Sequence, residues 1–81
     1  MGRFYFHVRT GDRLTPDEEG IEFPDLAAAQ HEAVLAAREV LADAIMTGRS
    51  EVPEAFVIAD ERGRPLDVIQ IATVLPRSMK M

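Results

Sequence analysis

The chain has 81 residues, 14 acidic against 9 basic for a formal net charge of −5, and no cysteine. That length holds one domain whose single core is marginal, so oligomer formation is a natural supplement. The missing cysteines exclude disulfides, thiolate metal sites and a cysteine nucleophile, and 47% hydrophobic with 28% charged residues is the balance of a folded chain.

Arg3 to Arg9 alternates cleanly: Phe4, Phe6 and Val8 point one way and Arg3, Tyr5, His7 and Arg9 the other, which predicts a strand. Phe4 to Val8 is far too short for a leader, and no apolar run approaches a membrane span, so a soluble cytoplasmic protein is expected. Thr10-Gly11-Asp12 reads as a turn, and Arg13 to Glu19, with Leu14 its one large apolar residue, as a loop or a weak edge. Gly20 to Phe23 forms a short strand able to pair with the first, and Pro24 ends it.

Asp25 to Thr47 is the one long helix. Asp25 is a good N-cap, Phe23 and Ala29 make a weak hydrophobic staple, and Ala27, Ala28 and Ala29 supply helix propensity. At 100° per residue, Leu26, Ala33, Val34, Ala37, Val40, Leu41, Ala44 and Ile45 share the expected core face, opposite Glu32, Glu39 and Asp43. Gly48 closes the helix, with Arg49 complementing its carbonyl end. Ala28, Leu35, Ala42 and Met46 recur on the polar side, either as ordinary surface or as a second contact stripe for another subunit.

A polar linker, Arg49 to Glu54, leads to a β-prone run from Ala55 to Ala59. The turn Asp60 to Pro65 and a returning run from Leu66 to Ala72 complete a hairpin, with Pro65 at a strand margin or edge. Val74 and Leu75 extend the packing, and residues 76–81 form a frayed tail to a single domain over residues 1–75.

The order β-β-α-β-β predicts an α+β, two-layer domain: a small, mainly antiparallel sheet of three main strands and one short one, packed on one helix. Phe4, Phe6, Phe56, Ile58, Ile69 and Ile71 face the helix. The other face carries Tyr5, His7, Arg9, Val57, Leu66, Val68 and Gln70, a set too apolar for water, and predicts a dimer or a protein partner.

Chemistry-bearing residues are few. His7, between Tyr5 and Arg9, can be read as a general acid/base, as part of an anion site, or as a strand histidine with a hydrogen bond, and no nucleophile is identifiable near it. His31 lacks H-x-x-x-H or H-E-x-x-H spacing, so no metal is expected. Asp17, Glu18, Glu19 and Glu22 lack the ligand pattern of a calcium loop, and Asp60 to Gly63 is a turn first. Phosphate-loop and nucleophile-elbow motifs are missing, and Ser50 and Ser78 have no evident triad partners. The leading expectation is a non-enzymatic interaction domain without a cofactor. Nucleic-acid binding, with Tyr5 stacking on bases and Arg3, Arg9 and Arg13 on phosphates, is the alternative, against which the net acidity argues. A small enzyme using His7 is a third reading.

Two resemblances follow from these residues. Arg3-Phe4-Tyr5-Phe6-His7-Val8-Arg9, then Asp17-Glu18-Glu19-Gly20-Ile21-Glu22-Phe23-Pro24-Asp25-Leu26, then Ala59-Asp60-Glu61-Arg62-Gly63, resemble a family of small bacterial proteins of unknown function. Its members run R-Y-F-F-H-V, D-x-x-G-x-E-x-P-D-L-x-x-A and a D-E-x-G hairpin; the resemblance implies a fold and no activity. The tyrosine-bearing strand, Gly20 to Leu26 and the alanine-rich helix are also similar to the N-terminal domain of HicB-type antitoxins. That likeness implies a regulatory domain that blocks a small ribonuclease toxin, although the chain lacks their glycine-containing segment after P-D-L and their DNA-binding segment.

Overall fold

Alternation in the first strand and a line of small residues along the helix give the molecule its two layers. The computed structural model describes residues 2–48 and 52–74. The elements are β1 (Gly2–Thr10), β2 (Arg13–Thr15), β3 (Ile21–Phe23), α1 (Leu26–Thr47), β4 (Ala55–Ala59) and β5 (Pro65–Gln70), followed by a 3₁₀ turn over Ile71–Val74. Arg49, the first residues of the linker, Ser50, Leu75 and the tail with Ser78 lie outside the described residues.

The sheet is antiparallel throughout, in the order β2-β1-β4-β5, and β3 pairs with β1 alongside β2. This confirms the α+β class and the pairing of the short strand with β1. Two expectations needed correction. Arg13 to Thr15 is a strand, making five where four were expected. The two-residue link Gly11-Asp12 sets Arg13 opposite Thr10, and backbone pairing sustains β2 although Leu14 is its one apolar residue. The last run does not stay extended to Ala72: it leaves the sheet at Ile71, whose amide still donates to the Glu54 carbonyl at 3.0 Å.

The helix begins and ends as expected. Asp25 Oδ1 accepts from the Ala28 amide at 2.9 Å, and Gly48 closes the C-terminus at φ 70° with its amide on the Ala44 carbonyl. Its core line is alanine: Ala29, Ala33, Ala37 and Ala44 are buried. Small side chains at i, i+4 and i+8 let the helix axis lie close to the sheet. Ala29 and Ala33 pack with Ile58, Phe4, Phe6, Phe23, Leu26 and Ile69; Ala37 packs with Phe56, Ile71, Val8, Val40 and Leu41. Ile45, expected in the core, is 59% exposed. It stands 100° round from Ala44, beyond the narrow line that touches the sheet.

The smallest dimension of the molecule, 18 Å, is that of two layers. One helix covers one face of the sheet; on the other, the only described segment is the loop over residues 17–20, which lies against Arg3, Tyr5 and His7 of β1.

Candidate functional site

The helix-free face is built from the second half of each alternation. On β1 it takes Arg3, Tyr5, His7 and Arg9. Register then sets His7 beside Val57 and Val57 beside Val68, Arg9 beside Ala55 and Ala55 beside Gln70, and Tyr5 beside Ala59. Alternation from Val68 adds Leu66. On the far side, Leu14 lies opposite Arg9 and Glu22 opposite Arg3. The expected face residues therefore do come together, and Leu14, Glu22, Ala55 and Ala59 join them.

The apolar residues run from Val57 on β4 to Leu66 and Val68 on β5, with Leu14 apart on β2, and the charges stand toward the two ends of β1. Leu14 is 50% exposed, and Leu66 and Val68 are each 40% exposed. Ala55 and Ala59 are small enough to be buried between larger cross-strand neighbours. The cations are paired: Arg3 Nη2 lies 3.7 Å from Glu22 Oε1, and Arg9 Nε donates to Glu54 Oε2 at 3.2 Å. Arg3 Nη1 also donates to the Glu19 carbonyl at 2.8 Å.

His7 is held by a loop. Its ring lies nearly parallel to that of Tyr5, with centroids 6.4 Å apart and planes 21° apart. Nδ1 accepts the Asp17 amide at 3.0 Å, which requires the neutral ring to carry its proton on Nε2. Asp17 then returns to β1: Oδ2 accepts the Phe6 amide at 3.1 Å, and Oδ1 accepts the amides of Glu19 and Gly20, each at 3.2 Å. Burial pushes the Asp17 carboxyl up, but the amides of Phe6, Gly20 and Glu19, together with His7, outweigh it and hold it below the ordinary aspartate range. The acidic loop thus contains the residue that organises the β1 margin. An aspartate three residues before a glycine is the turn signal that marks it.

The hairpin turn uses the same device. Asp60 Oδ1 accepts the amides of Arg62 and Arg64 at 2.9 Å, and its Oδ2 takes Arg64 Nε at 2.9 Å. The Arg64 amide is the main cause that holds the Asp60 carboxyl low, against a smaller opposing effect of burial.

Other expected positions lie elsewhere. Leu35, Ala42 and Met46 are exposed on the outer side of α1 with Ala28 half-buried, and the stripe does not join the sheet face. His31 is exposed on the helix, and no group of three potential metal ligands exists among the described residues. No described helix is long and apolar enough to cross a membrane.

The class is an open-faced, two-layer α+β domain whose first strand is strapped by an aspartate loop. The chain belongs to a family described as a domain of unknown function (DUF6894), whose sequence model matches residues 3–72. The match spans the strap, the helix, the Asp60 turn and every strand. No curated protein and no solved structure matches the chain. The likeness to HicB-type antitoxins gains nothing from these comparisons.

Proposed function

We propose that this is a non-enzymatic interaction domain that associates with a second copy of itself through the helix-free sheet face. The observation that carries the reading is the make-up of that face: an apolar patch of Val57, Leu66 and Val68 across β4 and β5, beside two cations of β1 already matched to carboxylates of the same chain. A two-fold interface presents each charge to a copy of its own surroundings. The balanced pairs Arg3–Glu22 and Arg9–Glu54 suit that arrangement, and an apolar patch beside paired charges has the mixed make-up of an interface. A polyanion is a poorer occupant, because it must compete with Glu22 and Glu54 for the two arginines. General-base use of His7 is also poorly served, since the Nδ1 lone pair is occupied by the Asp17 amide.

Sedimentation over a concentration series tests the proposal. The wild-type chain is expected to shift from monomer to dimer as concentration rises, and Val68→Lys to stay monomeric with an unchanged circular-dichroism spectrum and melting temperature. A wild-type chain that remains monomeric into the millimolar range overturns it, and a gel shift with mixed oligonucleotides would favour the nucleic-acid reading instead.

A further inference from the structure

A sheet can recruit a partner in two ways, by adding a strand at an edge or by stacking a face. Resting on the self-association proposed above, we infer that the sheet margins are closed to strand addition, and that two copies stack helix-free face on helix-free face as a four-layer α/β/β/α dimer.

Each margin carries its own obstruction. On the β5 side, Ile71 donates to Glu54, and alternation from there turns the amides of Val68 and Gln70 away from β4. The outward Val68 amide is already taken: Asp67 Oδ1 accepts it at 2.8 Å, while Asp67 Oδ2 is anchored by Gln30 Nε2 at 2.8 Å. An incoming strand must first displace that carboxylate. Pro65 offers no N–H at the start of β5, and the pairing slips at Ile58/Ala59, twisting that end of the edge.

On the opposite side, β1 is paired by β3 over Gly2 to Phe4 and by β2 over Val8 to Thr10. Between them the Phe6 amide would face an open slot, which the Asp17 carboxylate fills. The strands that form this margin are three residues each, too short to template another chain.

On the face, by contrast, the loop over residues 17–20 lies only against Arg3, Tyr5 and His7 of β1, and Leu66 and Val68 of β5 stay exposed. Four strands at about 4.8 Å spacing, with about 3.3 Å per residue from Arg3 to Arg9, give a footprint of roughly 20 by 23 Å. Two such faces bury on the order of 900 Å² in total, at the weak end of specific interfaces, so the dimer forms and dissociates with concentration. Ala55 and Ala59 are already buried within the single chain, so the contact is made by the exposed Leu14, Leu66 and Val68.

Nuclear magnetic resonance on the isotope-labelled full chain, followed across the same concentration range as sedimentation, separates the possibilities. Stacking predicts that the methyl signals of Val57 and Val68 move with dimer fraction while the outward amides of Val68 and Gln70 keep exchanging with solvent at the monomer rate. Dimerisation that protects those amides instead overturns the stacked geometry and leaves self-association standing. A chain that stays monomeric throughout overturns both. Asp67→Ala provides a second reading: uncapping the Val68 amide is expected to add larger, edge-paired species to the stacked dimer, and an unchanged sedimentation profile would show that Asp67 guards nothing.

Discussion

The carboxylate of Asp17 stands where a strand should be, accepting the Phe6 amide at 3.1 Å in the slot between β2 and β3. One side chain ties three backbone amides together, because it also holds Glu19 and Gly20, while the Asp17 amide itself donates to His7 Nδ1. Asp17→Ala leaves three amides to find water or go unpaired. Since the site is half-buried, the expected cost is about 2 kcal/mol, read as a lower urea midpoint. Asp17→Asn keeps one acceptor oxygen and is expected to lose about half as much.

The same bonds set a pH dependence. The folded-state pKa of Asp17 lies below its unfolded value, so its contribution is fully present above the unfolded pKa and is lost as pH falls through the folded one. Asp60 acts with the same sign. Urea midpoints of the wild type are therefore expected to fall between about pH 5 and about pH 2. Asp17→Asn, with no charge to neutralise there, is expected to show a shallower fall, and parallel curves for the two proteins would remove Asp17 from the account.

The elements themselves were legible because each rests on local chemistry. The Phe4/Phe6/Val8 alternation, the Asp25 cap and Gly48 all act within a few residues, and so does the turn at Asp60. What the sequence hid were relations between distant segments. Arg13-Leu14-Thr15 reads equally as loop or weak edge until β1 is there to pair with it. Ile45 has the right helical phase for the core, yet the buried line is only one alanine wide and passes it by. The helix-free face was readable as a list of residues. Its balanced charges were not, because the Arg9–Glu54 pair joins residues that only the β1–β4 register brings together. The Asp17 strap was missed for a related reason: four acids near one another look like surface until one of them is seen to replace a strand.

Gly20 is the strap's second fixed point. It adopts φ +70°, and a Cβ there would stand 2.8 Å from Arg3 Cγ, 2.8 Å from Tyr5 Cε2 and 3.0 Å from the Phe4 carbonyl oxygen. The two side chains can give way but the backbone oxygen cannot easily do so, and the left-handed conformation adds strain of its own. Gly20→Ala is therefore expected to destabilise the fold by about 2–3 kcal/mol. Gly11→Ala, at φ +61° with nothing within 4 Å, is expected to lose only about 1 kcal/mol. Equal losses at the two positions would mean that Gly20 matters for its dihedral angle alone.

The two apolar surfaces of this domain are separable, because the helix stripe and the sheet face lie on opposite sides of the two layers. Leu35 and Met46 are 37% and 86% exposed. Replacing both by lysine is expected to leave the sedimentation profile untouched and stability within about 0.5 kcal/mol of wild type. Ala33→Leu acts differently again. Ala33 is fully buried against Ile58, Phe4 and Phe6, so the added bulk pushes α1 off the sheet and costs about 1–3 kcal/mol. That damage reaches association only through unfolding: at temperatures where Ala33→Leu remains folded, its dimer fraction should equal that of the wild type. If instead the lysines on the helix abolish the dimer while Val68→Lys leaves it intact, the contact runs along α1, and the sheet face is only surface.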